Sequence, residues 1–111
     1  MLIKQLELSE KDALLDFLRI AYADNPRMSD ARFWEWHFPG NPYVKADNLP
    51  VWIAKDGNEL VGQLAATPVK LKIGDTRKDA IWILDLIVHH NHRGKGLAKK
   101  LVLAAQEFCP L

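Results

Sequence analysis

The chain has 111 residues, of which 49% are hydrophobic and 26% charged, values typical of one soluble globular domain. Fifteen Lys and Arg residues against 14 Asp and Glu leave a net charge of +1. This excludes the strong positive potential that would favour binding to nucleic acid or to an anionic membrane. The single cysteine excludes an intramolecular disulfide, and no apolar run approaches the roughly 20 residues that span a bilayer. We therefore expect a cytoplasmic protein with no nucleic-acid or membrane partner.

The N-terminal part of the chain predicts a strand followed by a helix. Residues 2–8 form a short, loosely alternating segment that is typical of a strand. Ser9 followed by Asp12 resembles a helix-capping pair, and apolar residues then recur at helical spacing up to about Ala23. An Asn-Pro pair directly afterwards ends the helix.

A second, shorter helix is predicted to begin at Ser29-Asp30 and to end at a turn over residues 39–42. The helix is distinguished by its aromatic residues, which are Phe33, Trp34, Trp36 and His37. These rings either pack into the core or form one wall of an acceptor site, and the sequence leaves both interpretations open.

The C-terminal half predicts strands followed by a helix. Residues 51–54 and 60–73 fit an antiparallel hairpin around a glycine turn, with an edge or bulge at Thr67-Pro68. Residues 80–88 are almost continuously apolar, a pattern that predicts a central strand covered on both faces. Residues 97–108 have helical spacing, so the predicted order of elements is β-α-α-β-β-β-α.

The segment between the last strand and the last helix has the composition of an anion site. Gly94 and Gly96 remove the Cβ atoms that would block a close approach to backbone N–H groups at the start of a helix. Basic side chains that favour a polyphosphate surround them: Arg93, Lys95, Lys99 and Lys100. A plain helix entry with solvated lysines is the alternative interpretation.

Three kinds of phosphate loop can be compared with this segment. The P-loop string is absent, and the dinucleotide fingerprint fails because Lys99 stands at its third glycine and no acidic residue follows about 20 positions later. The string Arg93-x-x-Gly96-x-Ala98 does match, and it resembles the Arg/Gln-x-x-Gly-x-Gly/Ala signature of the Gcn5-related N-acetyltransferase (GNAT) family.

The resemblance extends over nearly the whole chain. Residues 85–101 are similar to the family's fourth strand, pyrophosphate loop and third helix, although His90 stands where many members have proline. It implies an α/β, GNAT-like fold with a mixed, mostly antiparallel sheet, and transfer of an acetyl group from acetyl-CoA to a primary amine. The resemblance implies that nine residues bind the cofactor: Ile87, Val88, Arg93, Gly94, Lys95, Gly96, Leu97, Ala98 and Lys99. Ile87 and Val88 would do so through backbone groups that hydrogen-bond the pantetheine arm.

The resemblance also carries an expectation about the extent of the domain. Family members continue past the third helix with a further strand, a helix and two more strands, often with a tyrosine that protonates the leaving thiolate. Residues 1–111 are therefore expected to form a single, incomplete acetyltransferase domain. Because its most apolar strand would keep one unpaired edge, we expect a homodimer or a strand-swapped oligomer.

Candidate catalytic groups follow from the chemistry of amine acetylation, which needs a base and a group that stabilises the oxyanion. Asp85 is the strongest candidate base because it is ionisable within an otherwise apolar strand, although an ion pair or a substrate-orienting contact would also explain it. Glu35, on the aromatic helix, is a weaker candidate, and a backbone N–H near Val88 could stabilise the oxyanion.

Two further features are expected to have no metal-binding or nucleophilic role. The loop histidines His89, His90 and His92 lack the second ligand cluster of a metal site, so no metal is expected. Cys109 is predicted to be a buried helix residue and not a nucleophile.

The acceptor is not identified by the sequence, which allows a small-molecule amine, a protein N-terminus or a lysine. Two other functions compete with acetyl transfer. One is a non-catalytic CoA-binding or oligomerisation module, and the other, disfavoured by the absent third glycine, is a nucleotide-binding fragment.

Overall fold

The computed structural model describes residues 2–38, 40, 44 and 48–108, which form one four-stranded antiparallel sheet flanked by helices. The strands follow each other in the sheet in chain order and are β1 (Leu2–Gln5), β2 (Val51–Asp56), β3 (Glu59–Ile73) and β4 (Thr76–Val88). The helices are α1 (Lys11–Ala21), α2 (Ala31–His37) and α3 (Leu97–Phe108). The predicted order of elements is confirmed, whereas Cys109 and most of the predicted turn over 39–42 lie outside the described residues.

Both N-terminal helices begin at polar residues, although one begins differently from the prediction. Ser9 does not cap α1; it lies inside a 3-10 turn, and Glu10 accepts the Glu7 N–H at 3.0 Å. The longer glutamate reaches back one turn to an N–H that the helix itself leaves unpaired. At α2, Asp30 accepts the N–H groups of Arg32 and Phe33 at 2.8 and 3.4 Å, as the sequence predicted.

The β3–β4 hairpin is longer than the rest of the sheet. β3 pairs with β2 only from Glu59 to Ala65, whereas it pairs with β4 as far as Ile73. Pro68, which has no N–H to donate, therefore lies where β3 has β4 alone as its partner. The predicted edge at this proline is confirmed, and the register shift itself falls slightly earlier, between Ala65 and Ala66.

Two apolar cores lie on opposite faces of the sheet. On one face α1 and α2 bury side chains such as Leu14, Trp34 and Ile53. On the other face α3 packs Leu97 and Leu101 against β2 and β3. The sheet is thus held between two helical layers, and none of the described helices is long and apolar enough to cross a membrane.

Replacement of Leu101 by alanine should show how strongly α3 depends on its core contacts. Leu101 is 0% exposed, so its truncation should lower the free energy of unfolding by about 2–5 kcal/mol. The matched control is Leu103→Ala on the same helix, where the side chain is 50% exposed and the expected change is within about 0.5 kcal/mol. Urea unfolding of both variants measures the difference, and equal losses would contradict the packing of α3 described here.

The most apolar strand, β4, is not the covered central strand that its sequence predicted. Among the described strands its sole neighbour is β3, and Trp82, Ile83, Leu84 and Leu86 are between 39% and 63% exposed. The prediction was wrong because a run of apolar residues reports what a strand can bury, whereas its burial depends on the elements packed around it. Val88 is the buried residue of β4 in the core of α3, and the partly buried Ile81 packs against that core.

An apolar edge strand of this kind should pair with a second copy of the chain. No described strand pairs with its outer edge, whose N–H and C=O groups would form a template for another strand, and Trp82 and Leu84 would add apolar area to the contact. Light scattering at micromolar concentration should therefore give a mass above that of the monomer. A Trp82→Lys, Leu84→Lys variant should lower this mass, and a wild-type chain that stays monomeric would contradict the prediction.

Candidate active site

The turn that follows β4 has the backbone geometry of an anion site. A 3-10 turn over His90–His92 leads to Gly94 and Gly96, whose φ angles are +84° and +76°. These left-handed conformations suit glycine and carry the chain into α3, whose first helical bond runs from Lys100 N–H to the Gly96 carbonyl. A Cβ at either glycine would meet no atom within 4 Å, so the turn faces open space.

This open space is a groove of about 590 Å³ between the end of β4 and the start of α3. The groove lines up nearly all of the residues that the sequence predicted as cofactor contacts, and Lys95 is the exception. Its lining residues are Leu86, Ile87, Val88, His92, Arg93, Gly94, Gly96, Leu97, Ala98 and Lys99. The predicted set is therefore brought together in space, with Leu86 and His92 added.

Two side chains hold the turn against the sheet. Arg93 Nε donates to the Val88 carbonyl oxygen at 3.0 Å, which ties the turn to the end of β4. His92 Nε2 lies 3.3 Å from Asp56 Oδ2 in the β2–β3 hairpin, and its Nδ1 is buried without a hydrogen-bond partner among the described residues. The conformation of the turn is thus fixed from both sides, while Lys95 and Lys99 remain exposed.

On the opposite face of the sheet, Asp85 is the centre of a small polar cluster. The Tyr22 hydroxyl donates to Asp85 Oδ1, and Gln63 Nε2 donates to Oδ2. Burial raises the pKa of the Asp85 carboxyl, and the bonds from Tyr22, the Leu86 backbone and Gln63 only partly oppose this shift. A carboxylate with a raised pKa, held by two donors, has the properties of a general base.

A family model described as an acetyltransferase (GNAT) domain matches residues 2–109 of the chain. The chain belongs to the GNAT family. Acetyl-CoA, the cosubstrate that the sequence implied, is the acetyl donor of GNAT proteins. Asp85 and the residues that line one side of the groove lie on the same strand, β4.

Individual proteins agree with this membership. N-acetyltransferase 8F1 of Rattus norvegicus is 39% identical over 57 residues, which are 51% of this chain and 25% of that protein. The chain thus spans about a quarter of the length of this curated relative.

Solved structures share the fold over most of the chain. The crystal structure of an aminoglycoside acetyltransferase from an uncultured soil metagenomic sample has a TM-score of 0.69 and 25% identity, covering 95% of this chain and 68% of that one. An aminoglycoside 6'-N-acetyltransferase complexed with coenzyme A has a TM-score of 0.62 and 23% identity over 96% of this chain and 54% of its own, a likeness of fold alone.

The second candidate base of this GNAT chain, Glu35, has a different environment from Asp85. Glu35 is paired with the Lys11 ammonium, and this hydrogen bond raises the pKa of Lys11. Its side chain is partly exposed, and Glu35 is not among the residues that, with Asp85, line a cavity on this face of the sheet. The structure thus pairs Glu35 with Lys11 and not with Asp85, and a catalytic role for Glu35 stays a prediction.

Of the aromatic residues that the sequence left open, Phe33 and Trp34 line a cavity that Asp85 also lines, whereas Trp36 lies on the surface. Trp34 is buried beside Phe38, with ring centroids 5.1 Å apart, whereas Trp36 is 71% exposed. His89 stacks on His90 in the turn, with centroids 4.5 Å apart. Within the described parts of the chain, no three His, Cys, Asp or Glu residues come together as potential metal ligands.

Sequence reasoning missed two members of the Asp85 cluster. Gln63 carried a usable signal, because a polar residue stands in the middle of an apolar strand whose hairpin partner contains Asp85. Tyr22 carried none, since it lies 63 residues from Asp85 in the chain. Burial, followed by its bond to Asp85, raises the pKa of the Tyr22 hydroxyl, which therefore stays protonated at neutral pH.

Proposed function

We propose that the groove binds acetyl-CoA and that the chain transfers the acetyl group to a primary amine. The observation that carries the proposal is the turn at Gly94 and Gly96, where left-handed glycines open the start of a 12-residue helix onto a groove. Backbone N–H groups over residues 93–98 would hold the pyrophosphate at the positive end of the helix dipole. Lys95 and Lys99, both exposed, add charge that suits the phosphates of CoA.

The backbone of β4 supports a specific path for the pantetheine arm. His89 N–H donates to the Val61 carbonyl at 2.7 Å, so the backbone groups of His89 point towards β3. Because successive residues of a strand point their groups alternately, Ile87 also faces β3, while Val88 and Leu86 face the open edge. We therefore assign the contacts of the pantetheine arm to the Leu86 backbone and to the second lone pair of the Val88 carbonyl oxygen, and leave Ile87 a side-chain role.

Asp85 would act as the base in the transfer step. One proton of the acceptor ammonium passes to the Asp85 carboxylate, and the freed lone pair attacks the thioester carbon. The C–S bond then breaks, the amide forms, and the second proton lost by nitrogen goes to the CoA thiolate. The Val88 N–H at the open edge of β4 is the proposed donor to the oxyanion.

The extent of the domain and its cellular location are proposals as well. One sheet carries both helical layers, which supports a single acetyltransferase domain unit over residues 1–111. A chain with one cysteine has no internal disulfide to lose in a reducing environment, which supports a cytoplasmic location.

Calorimetric titration with acetyl-CoA, followed by measurement of the thiol released with a panel of primary amines, tests the proposed reaction. Saturable binding together with amine-dependent thiol release is the expected result. Binding without thiol release would favour the non-catalytic CoA-binding module instead. Competition by ATP or NAD but not by CoA would indicate a nucleotide site and overturn the proposal.

A further inference from the structure

A second cavity lies on the α1 and α2 face of the sheet, opposite α3. Its volume is about 230 Å³, below the roughly 300–1,000 Å³ of sites for drug-sized ligands. Its lining includes Phe33, Gln63, Ala65, Leu84 and Asp85. A body the size of one aromatic ring or a short branched alkyl chain matches this space.

The lining of this cavity is apolar except for two neighbouring polar side chains. Gln63 and Asp85 are its polar members, and they lie on neighbouring strands and are hydrogen-bonded to each other. The remaining lining side chains are aliphatic, aromatic or thioether. A single carboxylate can compensate one buried ammonium, whereas a second buried cation would lose its hydration without an anionic partner.

A positive charge lies next to one of the rings that line the cavity. The Arg27 guanidinium lies over the ring of Phe33, 4.7 Å from its centroid. This cation already occupies the face of one lining ring, and it repels other cations that approach Phe33. Its charge therefore also disfavours a ligand with several positive charges.

The cavity adjoins the groove through the sequence of β4. Leu84 and Asp85 line the cavity, and the next three residues, 86–88, line the groove. A strand advances about 3.3 Å per residue, so residues 86–88 follow Asp85 by about 3–10 Å along β4. The cavity thus lies beside the segment of β4 that is proposed to hold the acetyl donor.

We infer that the acceptor is a small primary amine that carries one positive charge on an apolar, ring-sized body. This inference rests on the proposed function, because it takes the groove to be the donor site. It separates this chain from acceptors with many amino and hydroxyl groups, such as the substrate class named for the aminoglycoside acetyltransferase of similar fold. A hydrophobic site rejects such a ligand because its extra polar groups are buried without partners.

Titration calorimetry with two amine probes tests the inference. 2-Phenylethylamine represents the proposed class, and kanamycin represents a polycation. We expect 2-phenylethylamine to bind at least about tenfold more tightly than kanamycin, since every tenfold corresponds to about 1.4 kcal/mol. Ala65→Leu, which fills the cavity, and Asp85→Asn, which removes its charge, should each weaken 2-phenylethylamine by about tenfold or more.

The matched control is Asp16→Asn, which removes an exposed carboxylate paired with Arg19 and should leave amine binding unchanged. Tighter binding of kanamycin, or equal affinity of 2-phenylethylamine for wild type and Asp85→Asn, would overturn the inference. If Ala65→Leu fails to fold, the Asp85→Asn comparison still decides.

Donor binding is followed separately, so that the two proposals can fail independently. Gly96→Glu should lose CoA while it keeps 2-phenylethylamine, because Gly96 lines the groove and not the cavity. Absence of CoA binding by wild type would refute the proposed function and leave the amine site standing. CoA binding without any 2-phenylethylamine binding would refute the acceptor class alone.

Discussion

Gly96→Glu is expected to lower the affinity for CoA by about a hundredfold or more, equivalent to about 2.7 kcal/mol. Gly96 has a φ of +76°, a conformation that a residue with a Cβ adopts at a cost of about 1–2 kcal/mol. A Cβ at this position would meet no atom within 4 Å, and Gly96 lines the groove, so we expect the glutamate side chain to enter it. There its carboxylate would repel the pyrophosphate that the N–H groups of residues 93–98 are proposed to hold.

A matched variant separates this local effect from general destabilisation. Gly74 lies in the turn between β3 and β4 and has a φ of +63°, and a Cβ there also meets no atom within 4 Å. Gly74→Glu therefore carries the same charge and a similar backbone cost, remote from the groove. Thermal unfolding should shift by comparable amounts in the two variants, while calorimetry with CoA should distinguish them. Wild-type CoA affinity in Gly96→Glu would contradict the assignment of the turn.

The turn between β4 and α3 could be predicted from sequence because all of its determinants are local. The strand, the glycines and the helix are contiguous over residues 85–101, and each is encoded by neighbours in the chain. Nothing distant has to be known to conclude that Gly96 precedes a helix and that Arg93 lies beside it. The hydrogen bond from Arg93 to Val88 spans only five residues.

The surroundings of Asp85 could not be predicted in the same way. The unusual placement of a carboxyl in an apolar strand was visible, but its partners come from distant segments. Tyr22 approaches from the end of α1, whose orientation depends on the packing of Leu14 and Leu18 against the sheet. The same dependence explains the misjudged burial of β4, since the apolar pattern of a strand does not specify what covers it.

Asp85→Asn is expected to lower the rate of acetyl transfer by about a hundredfold or more while it leaves CoA affinity unchanged, because general-base catalysis contributes about 10²–10⁴. The amide keeps the shape of the carboxylate, and Gln63 can turn its own amide to pair with it. Far-UV circular dichroism should confirm that the fold is retained. A transfer rate close to wild type would remove Asp85 from the mechanism.

The pH dependence of the Asp85 carboxyl gives this test a second readout. Burial raises its pKa in the folded chain, so its contribution to stability is full below the unfolded pKa of about 3.9 and is lost as pH rises through the folded pKa. Relative to wild type, Asp85→Asn should therefore gain stability as the pH rises across that window. Transfer by wild type should increase over the same window as the base ionises.

Tyr22→Phe removes a hydrogen bond that lowers the Asp85 pKa. In this variant, the loss of stability and the rise of the transfer rate should both occur at higher pH than in wild type. A Tyr22→Phe profile identical to wild type would show that the hydroxyl does not tune the base.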